Sequence, residues 1–256
     1  MAPAPPVGIV WSRMVTFVAL LLILIAMYVG MYLSKKGKKI TIRELPPVKA
    51  ISECVGRCAE MGRPLYFSPG YYSEITSALA GQTMATMAVL SYTAELCAKN
   101  NVEIISTTFL SEVVPVMEDV MTTAYRAAGH PERKPNVTWL GQGYIWGTQG
   151  IISREKPAAT VLVGPFSADT LPIAEVANIV GALQTGGTAR YTLLPTFVVA
   201  LDYCLLGEEV FAAQAMITQS PAHLGTIWAQ DLAKYAFSIL VIVGMALTLF
   251  GYKWPF

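Results

Sequence analysis

Residues 159–165 read Ala159-Thr160-Val161-Leu162-Val163-Gly164-Pro165, a β-branched, almost wholly apolar run broken by a turn dipeptide. A strand without alternation of apolar and polar residues is buried on both faces, the condition of a parallel sheet covered by helices on each side. The same grammar recurs outward along the chain. Leu65-Tyr66-Phe67 is a short apolar run stopped by Ser68-Pro69-Gly70, residues 102–107 are β-rich, 137–140 suit a short strand, and 196–201 (TFVVAL) read as a buried strand. Between these runs the apolar residues recur at three- and four-residue steps, as on a helix face. That spacing predicts helices from about Val48 to Gly62 (after the helix-blocking pair Pro46-Pro47), over 72–99, over 111–128 with Ser111 as N-cap and Gly129 as stop, over 169–183 and over 207–216. Residues 141–156 are ambiguous, although 144–153 suit a helix on a packed or interfacial surface. Helices alternating with such strands predict a three-layer α/β domain with a mostly parallel, Rossmann-like sheet.

The ends of the chain are of another kind. Residues 14–33 form a twenty-residue run without an acid or base, followed by Lys35, Lys36, Lys38 and Lys39. At 1.5 Å per residue this crosses a hydrocarbon core of ~30 Å. Residues 235–252 form a second such run, with Tyr235, Tyr252 and Trp254 at its ends, and the apolar spacing from His223 onward extends it. The expected organisation is a tail (1–13), a first span (14–34), a basic flank and linker (35–47), an α/β domain (48–222), a C-terminal helix containing the second span (223–253) and a tail (254–256). The excess of lysine after the first span places the domain in the cytoplasm and both termini outside. A sequon at Asn136-Val137-Thr138 then has no glycan to carry.

Composition narrows the functions. Of 256 residues, 54% are hydrophobic and 14% charged, with 18 basic against 17 acidic residues. A net charge of +1 offers no basic stripe for nucleic acid. Setting aside two spans of ~20 residues leaves a body with roughly 16% charged residues, still below the usual ~25%. The 75–97 helix carries only Glu95 as a charged residue, so its circumference calls for cover by other subunits or a membrane surface. Cys54, Cys58, Cys97 and Cys204 form no dense disulfide framework, and with His130 and His223 they show no metal-ligand spacing. No metal or other cofactor is expected.

In a parallel sheet the loops leaving the carboxyl ends of the strands converge on one crevice. The candidates there are Ser68, Gly70, Tyr71, Tyr72, Thr107, Asp169, Asp202 and Tyr203, with Asp169 and Asp202 as possible acid/base or metal-orienting groups and the tyrosines shaping a pocket. The same residues also serve ordinarily as turn formers and N-caps. Gly141-Gln142-Gly143 and Gly186-Gly187-Thr188 match neither a P-loop nor a dinucleotide fingerprint and are read as turn or close-packing glycines. GxSxG and HExxH are absent from the sequence.

Val55-Gly56-Arg57, Glu60-Met61-Gly62-Arg63-Pro64, Ser68-Pro69-Gly70, Gly187-Thr188-Ala189, Leu201-Asp202-Tyr203 and Gly207-Glu208-Glu209 together resemble a family of prokaryotic membrane proteins known as a domain of unknown function. The resemblance implies a bacterial or archaeal inner-membrane protein and no particular chemistry. The expected function is a non-enzymatic, membrane-anchored α/β subunit that assembles with itself or other proteins at the cytoplasmic face, in a scaffold or accessory role. Its expected partners are the lipid bilayer and a homo-oligomer or larger membrane complex. The alternative is a small-ligand sensor or enzyme using the strand-end crevice. A channel would need polar groups in the spans, where Thr16, Ser238 and Thr248 are the main candidates and bond ordinarily to their own helix. Gly244 and Gly251, one heptad apart, are candidates for close helix approach.

Overall fold

The structure, a computed structural model, describes residues 14–36 and 43–249. The expected tails, the lysines at 38 and 39, and Gly251, Tyr252, Lys253 and Trp254 lie outside the described residues. The chain divides into two units, one of residues 43–218 and one of the two terminal segments.

The elements in chain order are α1 (Met14–Lys35), α2 (Pro46–Met61), β1 (Leu65–Ser68), α3 (Ala80–Lys99), β2 (Ile104–Thr108), α4 (Val114–Ala127), β3 (Val137–Trp139), α5 (Tyr144–Glu155), β4 (Ala159–Val163), α6 (Thr170–Ile179), β5 (Leu183–Thr188), α7 (Leu194–Ala200), β6 (Tyr203–Leu206), α8 (Glu209–Thr218) and α9 (Pro221–Leu249). Six strands form one sheet in the order β3-β2-β1-β4-β5-β6, and every pairing is parallel. Side chains alternate across the sheet plane. Leu65, Phe67, Ile104, Val161 and Val163 pack with α2, α3, α4 and α8 on one face. Tyr66, Ile105 and Leu162 pack with α5, α6 and α7 on the other. This is the three-layer sandwich that the doubly apolar strands imply.

Several local expectations are corrected. Residues 196–200 are helical rather than extended, and Leu201 is the extended residue that ends the helix: Pro195 occupies the first turn of α7, where its missing N–H costs nothing, and Phe197 is the buried anchor. The strand lies one step later, as β6. Gly186 and Gly187 sit inside β5, not in a turn. A Cβ on Gly186 would stand 2.3 Å from the Leu162 carbonyl oxygen, and one on Gly187 would stand 2.5 Å from the Leu205 Cβ. Close packing selects glycine there, as expected, but within a strand. Helix α6 accordingly ends at Ile179. Residues 72–79 are non-helical, so α3 begins at Ala80. Pro46 and Pro47 open α2 instead of blocking it, since proline is preorganised for the first helical turn. Ser111 begins a 3-10 turn (Ser111–Val113), with no side-chain cap bond. The apolar circumference of α3 finds its cover within the domain, between α4, α8 and α2.

In the other unit, α1 and α9 contain stretches long and apolar enough to cross a membrane, Phe17–Lys35 and Pro221–Ala246. They run antiparallel and meet at glycine. A Cβ on Gly225 would lie 2.4 Å from the Met31 nitrogen, and one on Gly30 would lie 2.6 Å from the Gly225 carbonyl oxygen. Gly30 and Gly225 make this contact, as small residues do where helices touch. Thr248 bonds to its own helix, through the Met245 carbonyl at 2.8 Å.

The glycines give a paired prediction. Gly56 lies within α2 with nothing within 4 Å of an added Cβ. Gly56→Ala should stabilise the full chain by about 0.5–1 kcal/mol. Gly186→Ala should destabilise it by about 2 kcal/mol or more, because a backbone carbonyl blocks the methyl. Chemical unfolding of the detergent-solubilised protein, followed by near-ultraviolet circular dichroism, checks both; equal effects would refute the placement of Gly186.

Candidate functional site at the carboxyl edge of the sheet

The strand order reverses between β1 and β4, where open parallel sheets ordinarily hold a ligand. Here the two loops leaving that point interlock. Gly164 has φ +145°, and a Cβ on it would stand 1.9 Å from the Pro69 carbonyl oxygen. Gly70 has φ +90°, and a Cβ on it would stand 2.9 Å from the Phe166 ring. Only glycine permits both the torsions and the approach. Tyr72 donates its N–H to the Pro165 carbonyl at 2.9 Å, and Gly164 donates to the Gly187 carbonyl at 2.9 Å. Phe166 is fully buried against Phe197, ring centroids 5.5 Å apart. Its side chain belongs to the apolar core beneath α5, α6 and α7, and the backbone around it leaves the switch point packed.

Around this plug the expected residues Ser68 and Thr107 bond mainly to residues outside the expected set. The Ser68 hydroxyl meets the Tyr144 hydroxyl at 2.5 Å and accepts the Gly70 N–H at 3.2 Å. Thr107 bonds to the Tyr66 hydroxyl and to Thr148, the latter at 3.0 Å. Tyr71 stacks on Phe109 with centroids 3.9 Å apart. Burial pushes the Tyr66 phenol up to about 12 and the Tyr144 phenol well above its ordinary value, so both stay neutral donors. The thiols are held protonated in the same way, Cys54 up to about 12 and Cys58 up to about 11.

The carboxylates part company. Asp169 is buried just before α6. Its Oδ1 accepts the Ser167 N–H at 2.5 Å, while Oδ2 has no hydrogen-bond partner among the described residues. Burial raises the carboxyl from 3.8 to about 6, against the opposing pull of the Ser167 amide and of the positive charge on Arg190. Asp202 and Tyr203 lie at the opposite, amino edge, a consequence of α7 standing where a strand was expected. Asp202 Oδ2 accepts the Gln184 N–H at 2.8 Å near the start of β5, and the Tyr203 hydroxyl donates to Glu53 Oε2 at 3.3 Å. Asp169 and Asp202 therefore do not form an acid/base pair.

Arg190, passed over with the glycines before it, belongs to the edge. Its Nη1 donates to the Phe166 carbonyl at 2.7 Å, and its guanidinium lies 4.9 Å over the Tyr72 ring. Tyr66, Tyr144 and Thr148 were also missed. Tyr144 and Thr148 are four apart in the ambiguous glycine-rich segment, and that i, i+4 spacing was the available signal.

Asp169 sets a pH dependence. Because its folded-state value lies above the unfolded one, the folded state is favoured below 3.8 and loses that advantage as pH rises through about 6. The loss is on the order of 3 kcal/mol. Asp169→Asn keeps the acceptor for Ser167 and removes the charge. Its stability advantage over the parent chain should grow between pH 4 and 7, in unfolding curves run in parallel; a constant difference would contradict the buried carboxyl.

No curated protein and no solved structure matches the chain. The family model of the domain of unknown function DUF6754 matches residues 7–255, which spans both units, and the chain belongs to that family.

Proposed function

We propose that this protein is a membrane-anchored assembly subunit, its α/β domain at the cytoplasmic face of a prokaryotic membrane, associating with further copies or with other proteins through the outer surface of α5, α6 and α7. The observation that carries this is the apolar character of that surface. Trp146 is 76% exposed on α5, Ile179 76% at the end of α6, and Val199 84% on α7, with Leu171 and Val198 exposed beside them. Side chains of this size left open across three neighbouring helices mark interaction surfaces. Closure of the switch-point crevice by Phe166 supports a role other than turnover there. The spans in α1 and α9 supply the anchor, and Lys35 and Lys36 at the end of α1 favour the cytoplasmic side for the domain.

Crosslinking and mass measurement of the detergent-solubilised full chain test the proposal. The parent protein should run as a complex, and the double substitution Ile179→Glu with Val199→Glu, at two exposed positions, should reduce it to the monomer while its circular dichroism is unchanged. A parent protein that is monomeric without a co-purifying partner would overturn it.

A further inference from the structure

We propose that a cavity one strand away from the closed switch point binds a small phosphate monoester on a flat apolar body, with the Arg190 guanidinium as its anion receptor. The cavity has a volume of about 390 Å³ and is lined by Leu79, Gln82, Arg190, Thr192 and Phe211 among others. That volume lies at the lower end of the ~300–1,000 Å³ typical of small-molecule sites. It opens at the carboxyl end of β5, the edge of a parallel sheet where ligands are held.

The polar lining residues Gln82 and Arg190 are held from behind by the buried Thr188, which does not itself line the cavity. The Thr188 hydroxyl, at the end of β5, accepts the Gln82 side-chain N–H at 3.2 Å and the Arg190 backbone N–H at 3.2 Å. Gln82 is buried and Arg190 is half-buried. One guanidinium N–H is used on the Phe166 carbonyl and one face rests on Tyr72, so the group is held in position while further donors stay available. No carboxylate lies within ion-pair distance of Arg190 among the described residues; Asp169 feels its charge without pairing to it. A guanidinium fixed in this way meets phosphate oxygens with directed, charge-assisted bonds and little ordering cost. Phe211 and Leu79 add apolar lining, which suits a ring or short hydrocarbon attached to the phosphate.

Phenyl phosphate is the probe, titrated calorimetrically into the full chain in detergent, with phenol and inorganic phosphate in separate arms. Phenyl phosphate should bind saturably and about tenfold or more tighter than either fragment alone. Arg190→Met should weaken it by about tenfold or more. Thr192 is exposed, so Thr192→Glu leaves the core intact and should abolish binding by charge repulsion even if Arg190→Met impairs folding. Absence of saturable binding to the parent chain, or unchanged binding by the Thr192→Glu variant, would overturn the site. Binding of inorganic phosphate as tightly as phenyl phosphate would overturn the apolar half of the proposal. None of these outcomes alters the association state, so failure here is distinguishable from failure of the assembly proposal.

Discussion

Two glycines make the architecture of this domain what it is. At the point where the sheet reverses its strand order, the backbone of Gly164 passes against the Pro69 carbonyl, and Gly70 passes against the Phe166 ring. No Cβ fits at either position, and both torsions lie where side chains rarely go. The interlock drives Phe166 into the interior and turns Ser68 toward Tyr144. It also gives Arg190 a carbonyl to hold at 2.7 Å. The strand order is one that elsewhere opens a ligand crevice at its centre; here the centre is packed, and open volume occurs beside it at the end of β5.

How much of this could be read from the sequence depends on what each residue reports. Residues 65–67 and 159–163 were legible as strands because sandwiching between two helical layers requires apolar side chains on both faces. β5 was not, because its identity is set by neighbours: Gly186 is glycine on account of the Leu162 carbonyl beside it, and a pair of glycines in isolation looks like a turn. Residues 196–201 misled in the other direction. Valine and phenylalanine carry strand propensity, but Pro195 in the first turn and burial of Phe197 decide for a helix. That one reversal moved Asp202 and Tyr203 from the carboxyl edge to the amino edge. Ser68, Gly70, Tyr71, Tyr72, Thr107 and Asp169 lie on the carboxyl edge, but the bonds of Ser68 and Thr107 to Tyr144, Tyr66 and Thr148 are a three-dimensional property that no spacing announces.

The low charge content also resolves by position. Two helices long and apolar enough to cross a membrane account for part of it, and where Gly30 meets Gly225 their contact is backbone against backbone. Within the domain, α3 hides its apolar circumference among α2, α4 and α8. What is left over is concentrated on α5, α6 and α7, where Trp146, Ile179 and Val199 face outward. Buried thiols, neutral buried phenols and one carboxyl raised to about 6 describe an interior tuned for packing, with Arg190 as the charged group at the edge of an open volume.

The switch point is closed by a fixed backbone interlock. Residue-resolved hydrogen exchange of the detergent-solubilised chain tests it at two amides, Tyr72, which donates to Pro165, and Gly164, which donates to Gly187. Both should exchange as slowly as Val161 in the middle of β4, through opening of the whole domain. Exchange of Tyr72 and Gly164 that is orders of magnitude faster than that of Val161 would contradict it and show a crevice that opens.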